Sequence, residues 1–153
     1  MAGGMNVIRT YDTELIKMVI SDGRILETVA EDGFSIDGFE IDGKDIWLVI
    51  MDKTLIGLCL FVRIQAKCYQ IHPMLIDRTK SKAAISKALK WLLDNTSVEK
   101  ITASIPKIYR FIRVFALGFK FKDEGVNEKS FCKGGKMIDM WMMGITRKEL
   151  GAL

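Results

Sequence analysis

The run from Cys68 to Asn95 constrains the fold of this 153-residue chain more than any other stretch. Residues 69–76 are rich in apolar and aromatic side chains, which predicts a strand. Residues 77–82 are polar and cationic, and residues 83–94 place apolar side chains at helical spacing. The stretch therefore predicts a central strand that leads through a tight basic loop into an amphipathic helix.

The charge of that basic loop has the wrong sign for a helix start. A helix N-terminus carries unpaired amide donors and a partial positive charge, so it normally attracts carboxylates. Here Arg78, Lys80 and Lys82 crowd the same end. A bound anion such as phosphate would remove the conflict, because amides and cations would converge on it. The alternative, three solvated cations on a surface loop, stays open and is the commoner use of such a run.

Composition limits the class of protein. Hydrophobic residues make up 49% of the chain and charged residues 27%, which predicts a single globular domain over residues 1–153. A net charge of +4 favours phosphate-bearing partners but is too small for a nucleic-acid-binding arm. The longest apolar run, residues 55–62, is shorter than the roughly 20 residues of a membrane span. With no signal peptide in sight, we expect a cytoplasmic protein without a membrane partner.

Patterning along the rest of the chain predicts a mixed α/β sheet. The expected strands are residues 6–10, 46–51, 55–64, 69–76, 99–105, 119–124, 128–132 and 137–145. The expected helices follow Asp12, cover residues 25–31 and 83–94, and run from Pro106 to Gly118, with an acidic irregular loop at 32–45. The inner face of the last helix is expected to consist of Ile108, Phe111, Ile112, Phe115 and Ala116. The strand, helix and strand from residue 69 to residue 105 form a βαβ unit, which predicts a parallel pair.

Several segments in this order resemble the GCN5-related N-acetyltransferase (GNAT) superfamily. They are LIGLCLF at 55–61, QIHPML at 70–75, LGF at 117–119 and the KGGK hairpin at 133–136. The resemblance implies a mostly antiparallel mixed sheet of six to seven strands with helices on both faces. It also implies acetyl-CoA as cofactor and an amine as acceptor. A further resemblance, to small GNAT-fold proteins of tailed bacteriophages, implies the host cytoplasm as location and phage structural proteins as partners.

The resemblance assigns cofactor binding to the end of the central strand and to the basic loop, with main-chain amides beside Leu75 and in the loop as donors. The residues so assigned are Met74, Leu75, Arg78, Thr79, Lys80, Ser81, Lys82 and Ala83. GNAT members hold the cofactor pyrophosphate on a loop of the form Arg/Gln-x-x-Gly-x-Gly/Ala, and Ser81 stands here where a glycine is expected. Many members also carry a tyrosine two turns into the fourth helix as general acid. Here the tyrosine of that segment, Tyr109, stands at the helix start.

Two residues are candidates for catalysis. His72 is the one histidine of the chain and lies on the central strand, where its ordinary pKa suits a general base. Its alternative role is a structural strand histidine. Glu40, in the acidic loop, is a base acting through water or an anchor for a cationic amine, and its alternative is a solvated loop side chain. The acceptor pocket is expected between this loop and the tail hairpin. With one histidine and no CxxC pair, no metal site is expected.

The final strand, residues 137–145, is rich in methionine and carries Trp141. Apolar side chains on both of its faces predict a homodimer through this strand. Two functions stay open. One is an acetyl-CoA-dependent N-acetyltransferase with an unknown amine substrate. The other is a catalytically inactive GNAT-fold protein that acts in bacteriophage virion (head) assembly or another interaction.

Overall fold

The computed structural model describes residues 4–151, which contain seven strands and five α-helices. The strands are β1 (Asn6–Arg9), β2 (Ile46–Met51), β3 (Leu55–Gln65), β4 (Cys68–Leu75), β5 (Lys100–Pro106), β6 (Lys122–Lys133) and β7 (Lys136–Thr146). The helices are α1 (Thr13–Ile20), α2 (Gly23–Val29), α3 (Ser81–Asn95), α4 (Arg110–Gly118) and α5 (Arg147–Gly151). A 3-10 turn at Arg78–Lys80 lies between β4 and α3.

The strands form one mixed sheet with the hydrogen-bonding order β1-β2-β3-β4-β5-β7-β6. β4 and β5 are parallel, with Cys68 opposite Lys100. The pairs β1/β2, β2/β3, β5/β7 and β6/β7 are antiparallel. The predicted mixed α/β sheet and its parallel pair are therefore confirmed.

The chain divides into two compact units, each with its own buried residues. Among the described residues, the first unit comprises 4–30, 35–63 and 71–97, and the second comprises 31–34, 64–70 and 98–151. One core cluster of the first unit is Ile16, Val19, Ile20, Ile25, Trp47, Val49, Leu58 and Met74. Buried side chains of the second unit include Val98, Ile101, Ile105, Phe121, Phe131, Met143, Ile145 and Leu150.

One backbone contact in the first unit fixes where β4 ends. A Cβ atom on Gly57 of β3 would lie 2.3 Å from the Met74 carbonyl oxygen and 2.7 Å from the Leu75 Cα atom. Just before Gly57, the register between β2 and β3 shifts, which frees the Ile56 carbonyl. That oxygen accepts hydrogen bonds from the amides of Ile76 (2.8 Å) and Asp77 (3.2 Å). Two amides on one carbonyl bend the chain out of the sheet, so β4 stops at Leu75.

The prediction that Pro106 begins the fourth helix is wrong. Pro106 is the last residue of β5, paired with Met140, and α4 begins at Arg110. The Pro106 carbonyl accepts from the Tyr109 amide (2.9 Å), so a turn separates the strand from the helix. Phe111, expected on the inner face, has 62% of its surface exposed.

The C-terminal region differs from the expectation in two further ways. The two strands expected at 119–124 and 128–132 are one strand, β6, with register shifts near Gly125 and between Asn127 and Phe131. Helix α5 was not expected. Its start is stabilised by a reciprocal pair of bonds, from the Thr146 amide to the Glu149 carboxylate (3.1 Å) and from the Glu149 amide to the Thr146 hydroxyl (3.3 Å).

Substitution of Gly57 by alanine tests the β3–β4 contact. We expect Gly57→Ala to lower the free energy of unfolding by about 2 kcal/mol, because the new methyl group must displace backbone atoms. At Gly43 a Cβ atom would meet no atom within 4 Å, so Gly43→Ala is the matched control and should change stability by less than about 0.5 kcal/mol. Urea unfolding followed by circular dichroism measures both. Equal effects of the two substitutions would contradict the assignment.

Candidate active site

The connection from β4 to α3 brings the predicted cofactor-binding residues together within the first unit. Met74 and Leu75 are buried at the end of β4. After them the Asp77 carboxylate accepts hydrogen bonds from the Thr79 amide (3.1 Å) and the Thr79 hydroxyl (2.6 Å). The Ser81 hydroxyl donates to the Arg78 carbonyl (2.7 Å). The basic loop is therefore an internally hydrogen-bonded turn.

Two of the three predicted cations already have partners in the protein. The Arg78 Nη2 atom donates to the Arg24 carbonyl (2.7 Å), and Lys80 forms an ion pair with Asp52. The hydrogen bond of that pair raises the pKa of Lys80 and lowers the pKa of Asp52. Lys82 is exposed, and its ammonium group makes no hydrogen bond or ion pair within residues 4–151. The cations are thus close in sequence, but the structure does not direct all three toward one point.

The first turn of α3 is open to an anion. Its N-cap position is Lys80, which makes no side-chain capping hydrogen bond, and the turn carries no acidic residue. Most helix starts are capped by Ser, Thr, Asp or Asn side chains, which accept from the free amides. Lys82 and Ala83 lie exposed on this turn. The helix start and the Lys82 ammonium group therefore offer donors and positive charge at one place.

The main chain immediately after Leu75 is less available than the sequence suggested. Its amides at Ile76 and Asp77 both donate to the Ile56 carbonyl. Any group that binds these two amides must compete with that carbonyl. Of the main-chain amides expected to bind the cofactor, those at the start of α3 therefore remain available.

His72 lies half-buried in β4 and has an acidic neighbour that the sequence analysis missed. Burial lowers the pKa of the His72 imidazole, while the Asp45 carboxylate acts in the opposite direction. The imidazole is therefore neutral at pH 7, the form that a general base requires. Asp45 also accepts from the Arg63 amide (3.1 Å). One signal in the sequence marks it, an aspartate directly before the continuous apolar run of β2.

Glu40 lies on a loop that is anchored to the core of the first unit. Its neighbours Phe39 and Ile41 pack against the core cluster, and the Phe39 ring meets the Trp47 ring edge-on at 5.7 Å between centroids. Glu40 itself is exposed and forms no hydrogen bond or ion pair in the described part of the chain. Its carboxylate is free to meet a cation, and its catalytic role stays a prediction.

In the second unit, the beginning of the acidic segment is bound to the tail hairpin. The Asp32 carboxylate accepts from the amides of Gly134 (3.0 Å) and Gly135 (2.7 Å), which holds the pKa of that carboxyl below its usual range. The Glu31 carboxylate accepts from the Cys132 amide (2.8 Å). Residues 31–34 and the hairpin turn, both predicted near the acceptor, are therefore in direct contact.

Helix α4, also in the second unit, carries no tyrosine hydroxyl. Tyr109 precedes the helix, and its ring lies edge-on to Phe111 at 6.3 Å between centroids. Phe115 is half-buried against Phe119, with ring centroids 5.2 Å apart. The position at which many GNAT members place a general acid is therefore aromatic but without a proton to donate.

The described residues also limit other kinds of site. Within residues 4–151, no group of three or more His, Cys, Asp or Glu side chains is arranged to hold a metal ion. No helix in that range has the length and apolar character needed to cross a membrane. All three cysteines are free thiols, and burial raises the pKa of Cys59.

Comparison with known families assigns the chain to one of them. The sequence profile of a family described as "Protein of unknown function (DUF2824)" matches residues 6–153. The chain belongs to the DUF2824 family. Among curated proteins, none matches the sequence of this family member.

Solved structures of spermidine N-acetyltransferase have the same fold as this DUF2824 protein. The enzyme from Vibrio cholerae in complex with CoA and spermine has a TM-score of 0.81 and 16% identity, covering 95% of this chain and 97% of that chain. A chimera of Vibrio cholerae SpeG and hSSAT has a TM-score of 0.83 and 17% identity, covering 97% and 99%. The Vibrio cholerae enzyme in complex with manganese ions has a TM-score of 0.77 and 15% identity, covering 97% and 95%. At these identities the likeness shows the fold alone, and this confirms the GNAT-like mixed α/β fold that the sequence predicted.

The lowered pKa of His72 predicts a pH dependence of stability. In the folded DUF2824 protein His72 binds a proton less readily than in the unfolded chain, whose histidine pKa is about 6.5. Stability should therefore fall as the pH drops below about 6.5, since the unfolded state then binds more protons. We expect His72→Gln to show a smaller loss of stability between pH 8 and pH 5.5 than the wild type. Urea unfolding at both pH values tests this, and an equal or larger loss in the variant would contradict it.

Proposed function

We propose that this DUF2824 protein binds acetyl-CoA at the connection from β4 to α3 and transfers its acetyl group to a primary amine. The observation that carries the proposal is the uncapped start of α3, with exposed Lys82 beside it, which follows the end of β4 after one short turn. The likeness in fold to an acetyltransferase in complex with CoA supports the choice of ligand.

The residues at this connection fit a pyrophosphate. Lys82 supplies an unpaired cation, and the small side chains of Ser81 and Ala83 leave room for close approach to the helix amides. Arg78 is exposed and bound to the protein through one carbonyl, so it adds a second cation nearby. Lys80 would join only by leaving Asp52. We therefore assign the main contact to Lys82 and the helix start.

The bound cofactor would supply an acetyl thioester. The amine nitrogen would attack its carbonyl carbon, so that a C–N bond forms as the C–S bond breaks. His72 accepts the proton that the amine loses, since its imidazole is neutral at pH 7. Asp45 stabilises the imidazolium that results, because the charge of its carboxylate favours the protonated form of His72. As α4 carries no tyrosine, the departing thiolate takes its proton from solvent. Positioning then contributes most of the rate enhancement.

The acceptor that fits best is a cationic amine. The anchored loop carries the exposed carboxylates of Asp37, Glu40 and Asp42, and Asp45 follows them. Such a loop attracts a second positive charge on the substrate and orients the reacting amine. The Vibrio cholerae enzyme of the same fold is a spermidine N-acetyltransferase, and spermidine is a polyamine with several cationic amines. Glu40 would serve as the cation anchor.

A second candidate is a catalytically inactive GNAT-fold protein that binds other proteins, as in the assembly of a phage head in the host cytoplasm. The observation that favours it is that Arg78 and Lys80 are already bonded within the protein. The absence of a tyrosine general acid on α4 also favours an inactive protein. The two candidates differ in one property, the binding of CoA.

Calorimetric titration with CoA separates the two candidates. We expect binding by the wild type and by Lys87→Glu, whose exposed lysine lies further along α3. Lys82→Glu should weaken binding at least tenfold, or about 1.4 kcal/mol, because a carboxylate replaces the ammonium group beside the pyrophosphate. Saturation at about 100 times the dissociation constant should stabilise the wild type by roughly 2.7 kcal/mol. No binding at millimolar CoA would favour the second candidate, and equal weakening by both variants would refute the assigned position.

A turnover assay tests the role of His72. With acetyl-CoA and spermidine, we expect acetylated amine to be detected by mass spectrometry. The ratio kcat/KM should fall by a factor of about 100 or more in His72→Gln, the usual loss for a general base. The CoA dissociation constant of the variant should stay unchanged, which serves as the control. Equal turnover by the two proteins would remove His72 from the mechanism.

A further inference from the structure

Strand β1 forms one edge of the sheet, and its outer side is unpaired. The amide of Thr10, which directly follows β1, donates to the Trp47 carbonyl of β2 (2.9 Å). The hydrogen-bonding direction alternates along an antiparallel strand, so the amides and carbonyls of Val7 and Arg9 point away from β2. Within residues 4–151, no other strand pairs with β1. The outer side of β1 therefore offers main-chain donors and acceptors to an added strand.

The two edges of the sheet differ in their protection against further pairing. The opposite edge, β6, has register shifts and a mostly exposed, charged surface, which discourage pairing with another strand. The strand β1 keeps an unbroken register with β2 over all of its residues and contains neither a proline nor an acidic side chain. The strand β7, at which the sequence predicts a homodimer, lies between β5 and β6 and has no free edge. Of these strands, β1 is therefore the one that an extended segment can join.

A groove of about 220 Å³ lies beside this edge, between β1 and α3. Its apolar lining comes from three half-buried side chains, those of Met5, Val7 and Trp91. Small-molecule sites usually have roughly 300–1,000 Å³, so the groove is too small for most free ligands. It suits single side chains of a strand that adds to β1.

The groove has a positive charge that nothing in its lining compensates. Lys90 and Asp94 form an ion pair across one turn of α3 (2.8 Å), so their charges offset each other. Lys87 is exposed, and its ammonium group makes no hydrogen bond or ion pair in the described part of the chain. Among the described residues that line the groove, Asp94 is the one carboxylate. The charge of Lys87 therefore remains to attract a carboxylate from outside.

We propose that β1 and the groove bind an extended acidic segment of a partner protein, which adds to the sheet as a further strand. The main chain of this segment pairs with the outward groups of Val7 and Arg9. Every second side chain of the segment faces the groove. There an apolar side chain contacts Trp91, and an acidic side chain two residues away pairs with Lys87, one helical turn before Trp91. The contact is separate from the helix start assigned to CoA.

The length of β1 limits the affinity of this contact. The strand has four residues, and the main chain of every second one points outward, so the added strand gains few hydrogen bonds. A stable interface buries roughly 800 Å² on each partner, and smaller interfaces are usually weak and reversible. We therefore expect a dissociation constant on the order of 100 µM.

Synthetic peptides test the proposal on the full chain. The probe is an array of peptides of about seven residues, slightly longer than a typical strand, in which threonine alternates with the groove-facing residues. These are a central glutamate and, on either side of it, an aliphatic or aromatic residue. We expect members of the array to bind in fluorescence anisotropy, and replacement of the glutamate by lysine should weaken their binding several-fold. An array without a binder at millimolar peptide would overturn the proposal.

The substitution Val7→Pro tests the main-chain pairing. Proline removes the outward amide of Val7 but no hydrogen bond of the β1/β2 ladder, so the fold should be retained. Peptide binding should fall by a factor of about ten or more, because the added strand loses a hydrogen bond and meets the proline ring. Val7→Thr, which keeps the amide and the branched shape, should bind almost as the wild type does. Far-UV circular dichroism should show that both variants are folded.

Charge reversal tests the position of the acidic side chain. Lys87→Glu should weaken binding of the glutamate peptides several-fold and strengthen binding of the lysine peptides, because the ion pair is restored with opposite signs. Lys82→Glu, the same change at the start of α3, should leave peptide binding unchanged. Binding that survives both Val7→Pro and Lys87→Glu would overturn the proposal, since the peptide would lie elsewhere. A dimer of the free chain that Val7→Pro dissociates in analytical ultracentrifugation would also overturn it, because the occupant would be a second copy.

Discussion

The close contact between Gly57 and the backbone of β4 determines the course of the chain through the candidate site. No side chain larger than hydrogen fits between Gly57 and the Met74 carbonyl, which a Cβ atom would approach to 2.3 Å. Next to it, the Ile56 carbonyl binds the amides of Ile76 and Asp77 and thereby ends the strand. The chain leaves the sheet there, forms the 3-10 turn and begins α3. The uncapped helix start owes its position to this contact.

The basic turn has to be stable in the free protein and also able to bind an anion. Without a ligand, Arg78 and Lys80 lie near the positive end of a helix, and the Arg24 carbonyl and the Asp52 carboxylate compensate for this. Arg78 is held by one exposed hydrogen bond, so a phosphate can replace the Arg24 carbonyl at low cost. The Lys80–Asp52 pair is partly buried and therefore harder to exchange. Lys82 needs no such exchange. The turn can therefore be stable in the free protein and still be able to bind an anion.

The sequence predicts the fold better than the site, for physical reasons that particular residues show. Strand and helix periodicities are local, so β2, β3 and α3 were expected within one or two residues of their observed bounds. The βαβ rule also supplied the parallel pairing of β4 with β5. The partners of the cations are not local, because Arg24 is 54 residues from Arg78 and Asp52 is 28 residues from Lys80. The sequence alone therefore gave no partners for the three cations of the basic loop.

The error in α4 has a different origin. Its apolar residues were assigned to a buried face because amphipathic helices usually bury such residues. The strand β5 instead continues through Pro106, and Ile108 and Phe111 are exposed. In contrast, the start of α5 was missed although the sequence contains a signal for it, since Thr146 and Glu149 have the spacing of a capping box.

The central claim is that CoA binds at the connection from β4 to α3. Hydrogen–deuterium exchange with and without CoA tests this most directly, because it reports where the backbone is protected. We predict that CoA slows exchange in peptides that cover residues 76–84 and leaves those that cover α5 unchanged. Unchanged exchange over residues 76–84 at millimolar CoA, or protection confined to other segments, would contradict the account.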